Sequence, residues 1–183
     1  FVDFVMGPDH VAEVADIVSQ AMAGERILAI SQAKKQKYVF PSFTPDFVPG
    51  PTAFLTIIKG CNNTCSYCIV PFTRGPEQSK PPEMVLKEIR QLIEDGAREI
   101  TLLGQNVNSY GKDLSPKTDF VTLLRQVSEL DGLDRLRFVT SHPKDATDEL
   151  LTAFSEILNL MPYFHLPLQA GSDRVLKAMR RGY

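Results

Sequence analysis

Ala53-Phe54-Leu55-Thr56-Ile57-Ile58-Lys59-Gly60-Cys61-Asn62-Asn63-Thr64-Cys65-Ser66-Tyr67-Cys68 joins a run of branched and aromatic residues directly to three cysteines. The run from Ala53 to Ile58 reads as a short buried strand. Helical spacing follows in Val85, Leu86, Ile89, Leu92 and Ile93, entered through Pro81-Pro82 and closed by Gly96. The same alternation then recurs. A strand from Glu99 to Leu103 precedes a helix carrying Phe120, Leu123, Leu124, Val127 and Leu130. A strand from Leu136 to Thr140 precedes a helix capped near Thr147 that carries Leu150, Leu151, Phe154, Ile157 and Leu158. A fourth strand, Phe164 to Leu168, leads to a helix with Val175, Leu176 and Met179. Consecutive βα units predict an α/β fold with a parallel sheet and right-handed crossovers. Four units cannot close a barrel of eight, which leaves an open sheet or part of a barrel. Both architectures keep their working residues at the C-terminal ends of strands. That nominates the segments after Ile58, Leu103, Thr140 and Leu168.

Upstream, Phe1 to Val5 reads as a strand, and Val11, Val14, Ala15, Val18 and Met22 recur at helical spacing. Residues 1–30 are therefore expected to be the end of a smaller α/β domain. Residues 31–52 hold Lys34-Lys35-Gln36-Lys37 and the prolines Pro41, Pro45, Pro49 and Pro51, a density that predicts an extended linker. The basic run reads as a solvated part of that linker. Residues 53–183 form the main unit. With Phe1 rather than methionine at the start, the expectation is a fragment with an upstream part missing.

Composition narrows the class. The 183 residues are 43% hydrophobic, enough for a core, and far from the disordered class. Net charge is 20 − 22 = −2, so no broad basic field marks a nucleic-acid binder and none excludes one. No apolar run reaches the roughly 18 residues of a membrane span. An odd number of cysteines within residues 61–68 cannot be a secreted disulfide framework. A cytoplasmic protein with one concentrated sulfur site is expected.

Three thiolates from one short loop can converge on a single centre, and the chain has no fourth cysteine to complete an all-thiolate site. On a four-iron cluster this ligand count leaves one iron open. The alternatives are a zinc site completed by His142 or His165, a redox dithiol in Cys65-Ser66-Tyr67-Cys68, or three buried free thiols. His142 and His165 read better as hydrogen-bonded core or turn residues than as ligands.

The spacing Cys61-x3-Cys65-x2-Cys68, with Tyr67 before the third cysteine, resembles the signature of radical S-adenosylmethionine (radical SAM) enzymes. The block Ile69-Val70-Pro71-Phe72-Thr73-Arg74-Gly75 with Ser79-Lys80-Pro81 is similar to the methylthiotransferase branch of that family. Leu102-Leu103-Gly104-Gln105-Asn106-Val107-Asn108-Ser109-Tyr110-Gly111, Thr140-Ser141-His142-Pro143 and His165-Leu166-Pro167-Leu168-Gln169-Ala170-Gly171-Ser172-Asp173 resemble its tRNA-modifying members. The blocks span residues 53 to 183.

This resemblance implies part of a radical SAM barrel, a partial version of the eight-stranded TIM-like one. It implies that Cys61, Cys65 and Cys68 hold a [4Fe-4S] cluster whose open iron binds the amino and carboxylate groups of S-adenosylmethionine. Reductive cleavage would then yield a 5′-deoxyadenosyl radical. Gly104, Gln105 and Asn106 match the loop that grips the methionine amino group, with neutral side chains where a carboxylate is common. Tyr67 matches an aromatic beside the adenine. Ser141, Gln169 and Ser172 stand where carboxylate or ribose contacts fall, and each can equally serve a turn or cap. Arg74 can steady a carboxylate or phosphate, or pair with an outer acid.

The activity implied is transfer of a methylthio group to C2 of an N6-isopentenylated adenosine near a tRNA anticodon. The sister activities, on a ribosomal-protein aspartate or on threonylcarbamoyl-adenosine, are the alternatives, and a non-catalytic zinc or iron-sulfur module is the alternative outside enzymes. A second [4Fe-4S] cluster is implied in a missing N-terminal region, and an RNA-binding module beyond the C-terminal end. The implied partners are tRNA and an electron donor such as flavodoxin or ferredoxin. No membrane association is expected, and the protein is expected to be a monomer.

Overall fold

The computed structural model describes residues 2–30, 40 and 50–183. The basic run and nearly all of the expected linker lie outside the described residues. Strand β1 (Phe4–Met6) leads through a 3-10 turn at Pro8–Glu13 into helix α1 (Val14–Met22) and strand β2 (Ile27–Ala29). β1 and β2 pair in parallel, Phe4 opposite Ile27. The expected apolar stripe of α1 is not its packed face. Ile17 is buried, whereas Val11, Val14, Val18 and Met22 are exposed.

Strand β3 (Thr52–Thr56) alternates in and out, burying Ala53 and Leu55. The single strand expected through Ile58 divides after Thr56. Strand β4 (Ile58–Lys59) turns away and, after the short helix α2 (Val70–Thr73), pairs antiparallel with β5 (Gln78–Ser79). The cysteine loop is thus the outward arm of a hairpin rather than a plain strand-to-helix link. Helix α3 (Pro82–Glu94) follows, with Val85, Ile89 and Leu92 buried as their spacing predicts.

Strand β6 (Glu99–Leu103), helix α4 (Phe120–Ser128), strand β7 (Arg135–Phe138) and helix α5 (Asp148–Glu156) complete two further units. Asp119 caps α4, its Oδ1 accepting from Thr122 N at 2.7 Å, and Thr147 caps α5 as expected, its Oγ1 accepting from Leu150 N at 3.2 Å. β3, β6 and β7 form one parallel sheet in the order β3-β6-β7, with Leu55 opposite Leu102 and Leu102 opposite Phe138. Its helix-covered face holds Ile89, Ile100, Leu102, Leu123, Leu124, Leu136 and Leu150. Each such side chain contributes about 1.5–3 kcal/mol by leaving water.

The fourth strand is a correction: residues 164–168 form none. The chain does run beside β7, with Leu136 N donating to Asn159 O at 2.7 Å and Met161 N to Leu136 O at 2.9 Å. It rejoins where Ser141 N donates to His165 O at 3.2 Å. Between and beyond these points stand Pro162 and Pro167, which have no N–H to donate, so the ladder cannot extend. Phe164 still packs its ring on Phe138, with centroids 5.8 Å apart. Helix α6 (Asp173–Ala178) follows. The fold is mixed α/β with parallel sheets. No helix among the described residues is long and apolar enough to cross a membrane.

Candidate functional site

The cysteine loop is pinned at several points. At its base Gly60 has φ +80°, and a Cβ there would lie 2.0 Å from Pro76 O, so only glycine fits. Gly60 N donates to Gln105 Oε1 at 2.6 Å, tying the loop to the end of β6, and Cys61 N donates to Gly75 O at 3.1 Å. Further along, Ser66 N donates to Met179 O and Cys68 N to Cys65 O. All three cysteines are free thiols; Cys65 is buried, and Cys61 and Cys68 are half-buried. Burial is the main cause that pushes the Cys61 thiol up, against hydrogen bonds from Asn63.

Gln105 therefore braces the loop instead of pointing a free carbonyl outward. Gln105→Leu leaves the Gly60 N–H unpaired, at a cost of about 1–3 kcal/mol. Urea unfolding should show that loss, and limited proteolysis should cut residues 61–75 faster; unchanged protection would place the brace elsewhere.

Gly104 packs closely against β4, since a Cβ there would meet Ile58 Cγ2 at 2.3 Å. Asn106 is 1% exposed. Its Nδ2 donates to Asp145 Oδ2 at 2.8 Å and to Glu77 Oε1 at 3.5 Å, and Glu77 in turn accepts from Asn62 N and Nδ2. Burial alone would raise the Asp145 carboxyl, but hydrogen bonds from Asn106 and Lys112 outweigh it and hold the group low. Asn108 joins the loops after β6 and β7 by two bonds, Nδ2 to His142 O and His142 N to its Oδ1. At the end of β7, Thr140 takes φ +64° and its hydroxyl donates to Gly104 O.

Three buried polar atoms at these strand ends have no hydrogen-bond partner: Asn106 Oδ1, Ser141 Oγ and His142 Nε2. His142 Nδ1 accepts from Lys144 N at 3.1 Å, which leaves the ring proton on Nε2. Burial first, and then the Arg181 charge, push His142 down to about 4. The unfolded chain protonates near pH 6.5 and the folded one only near 4. The neutral ring therefore stabilises the fold fully above pH 6.5, and this is lost as the pH falls toward 4. His142→Gln should flatten the unfolding free energy between pH 4 and 6.5; an unchanged slope would assign it to carboxylates.

The other expected residues are less tied in. Tyr67 is half exposed and its hydroxyl accepts from Arg181. Gln169 is exposed at φ +67°, and Ser172 is exposed at the N-terminus of α6 without a side-chain cap bond. Among the described residues neither side chain hydrogen-bonds to the cysteine loop. Arg74 is exposed at the end of α2. His165 Nδ1 accepts from Thr140 N at 2.9 Å. Among the described residues no three His, Cys, Asp or Glu side chains gather as a single-ion site requires. A cavity of about 760 Å³ lies around Ser79 and Asp113, and one of about 450 Å³ around Lys112 and Arg125 borders the network at Asn108 and Asp145; neither is lined by a cysteine. Sequence reasoning missed Glu77, Asp145 and Arg181 as parts of this network. The one signal was that Arg180-Arg181 is a basic pair, which has no meaning without the fold.

Comparison with known proteins bears on this arrangement. The chain is 49% identical to a tRNA-2-methylthio-N(6)-dimethylallyladenosine synthase of Syntrophotalea carbinolica, over 100% of this chain and 42% of that protein. It is 47% identical to the protein of the same name from Myxococcus xanthus, over 100% of this chain and 39% of that one. The chain thus spans well under half the length of these curated relatives. Among solved structures, the radical S-adenosylmethionine methyltransferase TsrM of Kitasatospora setae, with tryptophan and a SAM analogue bound, superposes with TM-score 0.63 at 14% identity. That match covers 97% of this chain and 39% of TsrM. The cobalamin-dependent radical enzyme OxsB gives 0.52 at 17% identity, over 71% of this chain and 20% of that one. At such identities these two speak for the fold alone. The radical SAM superfamily itself matches residues 55–183, the stretch that holds the end of β3, the cysteine loop and the units built on β6 and β7. With the loop at a strand end and the matched fold around it, the chain belongs to the radical SAM superfamily.

Proposed function

We propose that this chain is the radical SAM part of a transferase that adds a methylthio group to C2 of an N6-isopentenylated adenosine near a tRNA anticodon. The observation that carries the reading is identity of 43–49% along essentially the whole chain to relatives that all bear the same tRNA-modifying name. Cys61, Cys65 and Cys68 would hold a [4Fe-4S] cluster with one open iron, and S-adenosylmethionine would bind beside it. The residues present fit these groups. Three free thiols lie within eight residues, and a cluster that takes each cysteine on a different iron needs them farther apart than one ion does. The orphaned Asn106 Oδ1, Ser141 Oγ and His142 Nε2 lie at the strand ends that follow. Each unmet buried atom costs about 1–3 kcal/mol, which a polar cofactor would offset.

When bound, the cluster supplies the electron that cleaves the sulfonium of S-adenosylmethionine. The chain's own residues do the rest. Gln105 and Gly60 set the height of the cysteine loop. Gly104, with no side chain, lets the β6 end lie against β4. Asn106 offers an acceptor to an ammonium, Ser141 and His142 offer donors to a carboxylate or ribose, and Tyr67 offers a ring face to adenine. Gln169 and Ser172, both exposed, would add contacts to the carboxylate or ribose.

On the same reading the βα units belong to a partial barrel, residues 1–30 to a neighbouring domain and residues 31–52 to the connection between them. A second [4Fe-4S] cluster would take its ligands from outside these 183 residues. The partners would be tRNA and an electron donor of the flavodoxin or ferredoxin kind, with the enzyme a cytoplasmic monomer. The test is anaerobic reconstitution of the gene product containing this chain, followed by nucleoside mass spectrometry of isopentenylated tRNA. The methylthio mass increment is expected, and its absence with a loaded enzyme would overturn the assignment. These 183 residues by themselves are expected to take up about four irons, and the gene product with its second cluster about eight; one zinc and no colour would end the radical proposal.

A further inference from the structure

Arg181 is 6% exposed, and its guanidinium reaches the cysteine loop from the other end of the chain. Nη1 donates to Cys65 Sγ at 3.3 Å and to Tyr67 Oη at 3.2 Å. Nη2 donates to Pro167 O at 3.2 Å, and Nε to Tyr183 Oη at 3.1 Å. The Tyr183 hydroxyl itself donates to Leu168 O at 2.7 Å, and its ring lies 5.3 Å from the guanidinium carbon. Sulfur, phenols and a carbonyl satisfy this cation; among the described residues no carboxylate pairs with it. A buried guanidinium without a counter-anion costs several kcal/mol. The group it touches that becomes an anion is the Cys65 sulfur, once that sulfur ligates metal.

We propose that Arg181 is a positioning residue that donates to the Cys65 sulfur as a cluster ligand, orients the middle of the cysteine loop and favours the reduced cluster by its fixed charge. The inference rests on the cluster assignment made above. The physical basis is that reduction adds one electron, drawn from an external one-electron donor, with no bond made at Cys65 and no proton moved. A cation hydrogen-bonded to a cluster sulfur stabilises the more negative state, and hydrogen bonds to such sulfurs are among the determinants of potential. Arg181 also joins the loop to Pro167 and, through Tyr183, to Leu168. It thereby couples the cluster's position to the segment after residue 164.

The test uses the full chain, reconstituted anaerobically without S-adenosylmethionine, with dithionite as reductant. The midpoint potential is read by electron paramagnetic resonance. Arg181→Met is expected to retain iron and to be at least tenfold harder to reduce at fixed potential, about 59 mV lower for one electron. Arg181→Lys, which keeps the charge, should lie within threefold of the wild type. Arg181→Gln replaces the Met variant should circular dichroism show that one unfolded. An unchanged potential in the charge-free variant overturns the proposal. So does loss of iron from folded Arg181→Lys and Arg181→Gln alike, since the residue would then be a clamp only. A wild-type chain that takes up no iron-sulfur cluster refutes the cluster assignment itself, a separate outcome seen before any variant is made.

Discussion

Replacing Cys65 by alanine is expected to give a folded protein with less than one iron per chain and no reductive cleavage of S-adenosylmethionine above the metal-free background. Cys65 is the buried member of the three, at 9% exposure, and carries the Arg181 contact. Alanine keeps the backbone bond from Cys68 N to residue 65 and leaves the Gly60–Gln105 brace untouched. The loop should therefore keep its path while the centre loses a ligand and Arg181 loses an acceptor, at about 1–3 kcal/mol for the unpaired donor. Iron analysis and chromatography of 5′-deoxyadenosine check the result. Four irons and wild-type cleavage in the variant would remove Cys65 from the ligand set. Because burial holds the Cys61 thiol protonated, loading the site should release protons, and uptake should be faster at higher pH.

The second large effect belongs to the core beneath the site. Phe138 ends β7, is fully buried, and meets Phe120 edge-on at 5.0 Å, Phe154 at 5.6 Å and Phe164 at 5.8 Å. Phe138→Ala should cost about 3–5 kcal/mol, a large share of the total for a domain of this size. It should also act on chemistry. Phe164 is held by that ring, and the chain just beyond it carries His165, which accepts from Thr140 N, and Pro167, which accepts from Arg181. Urea unfolding measures the first effect. Faster proteolysis of residues 162–170 measures the second, and a loss under 1 kcal/mol would show that the aromatic cluster repacks around the gap.

Much of this architecture is readable in one dimension. The runs read as strands at 53–58, 99–103 and 136–140 yield neighbouring parallel strands at 52–56, 99–103 and 135–138, and the apolar spacing of α3 and α4 faces the sheet. Thr147 caps its helix as its residue type suggests. The failures have causes of equal clarity. β4 and β5 are two residues each, too short to show a period of two, so the hairpin around the cysteine loop was invisible. Residues 164–168 have strand composition, but Pro162 and Pro167 deny them the ladder. The stripe on α1 has helical spacing, yet the two-stranded β1-β2 pair covers only Ile17 of that helix.

The sequence by itself determined that three cysteines crowd into one short loop just after a strand. Spacing of cysteines within eight residues is a local property, and strand-end placement follows from hydrophobic pattern alone. Only the tertiary structure decided what surrounds those sulfurs. Arg181 stands 116 residues from Cys65 in the chain, Asn106 39 from Asp145, and Gln105 45 from Gly60. No periodicity encodes such pairs. The pairs of Asn106 and Gln105 exist because the register of β3, β6 and β7 carries distant strand ends to one edge, and Arg181 arrives there because the chain after α6 bonds to the cysteine loop at Met179 O; buried donors and acceptors at that edge must find partners or remain open for a ligand.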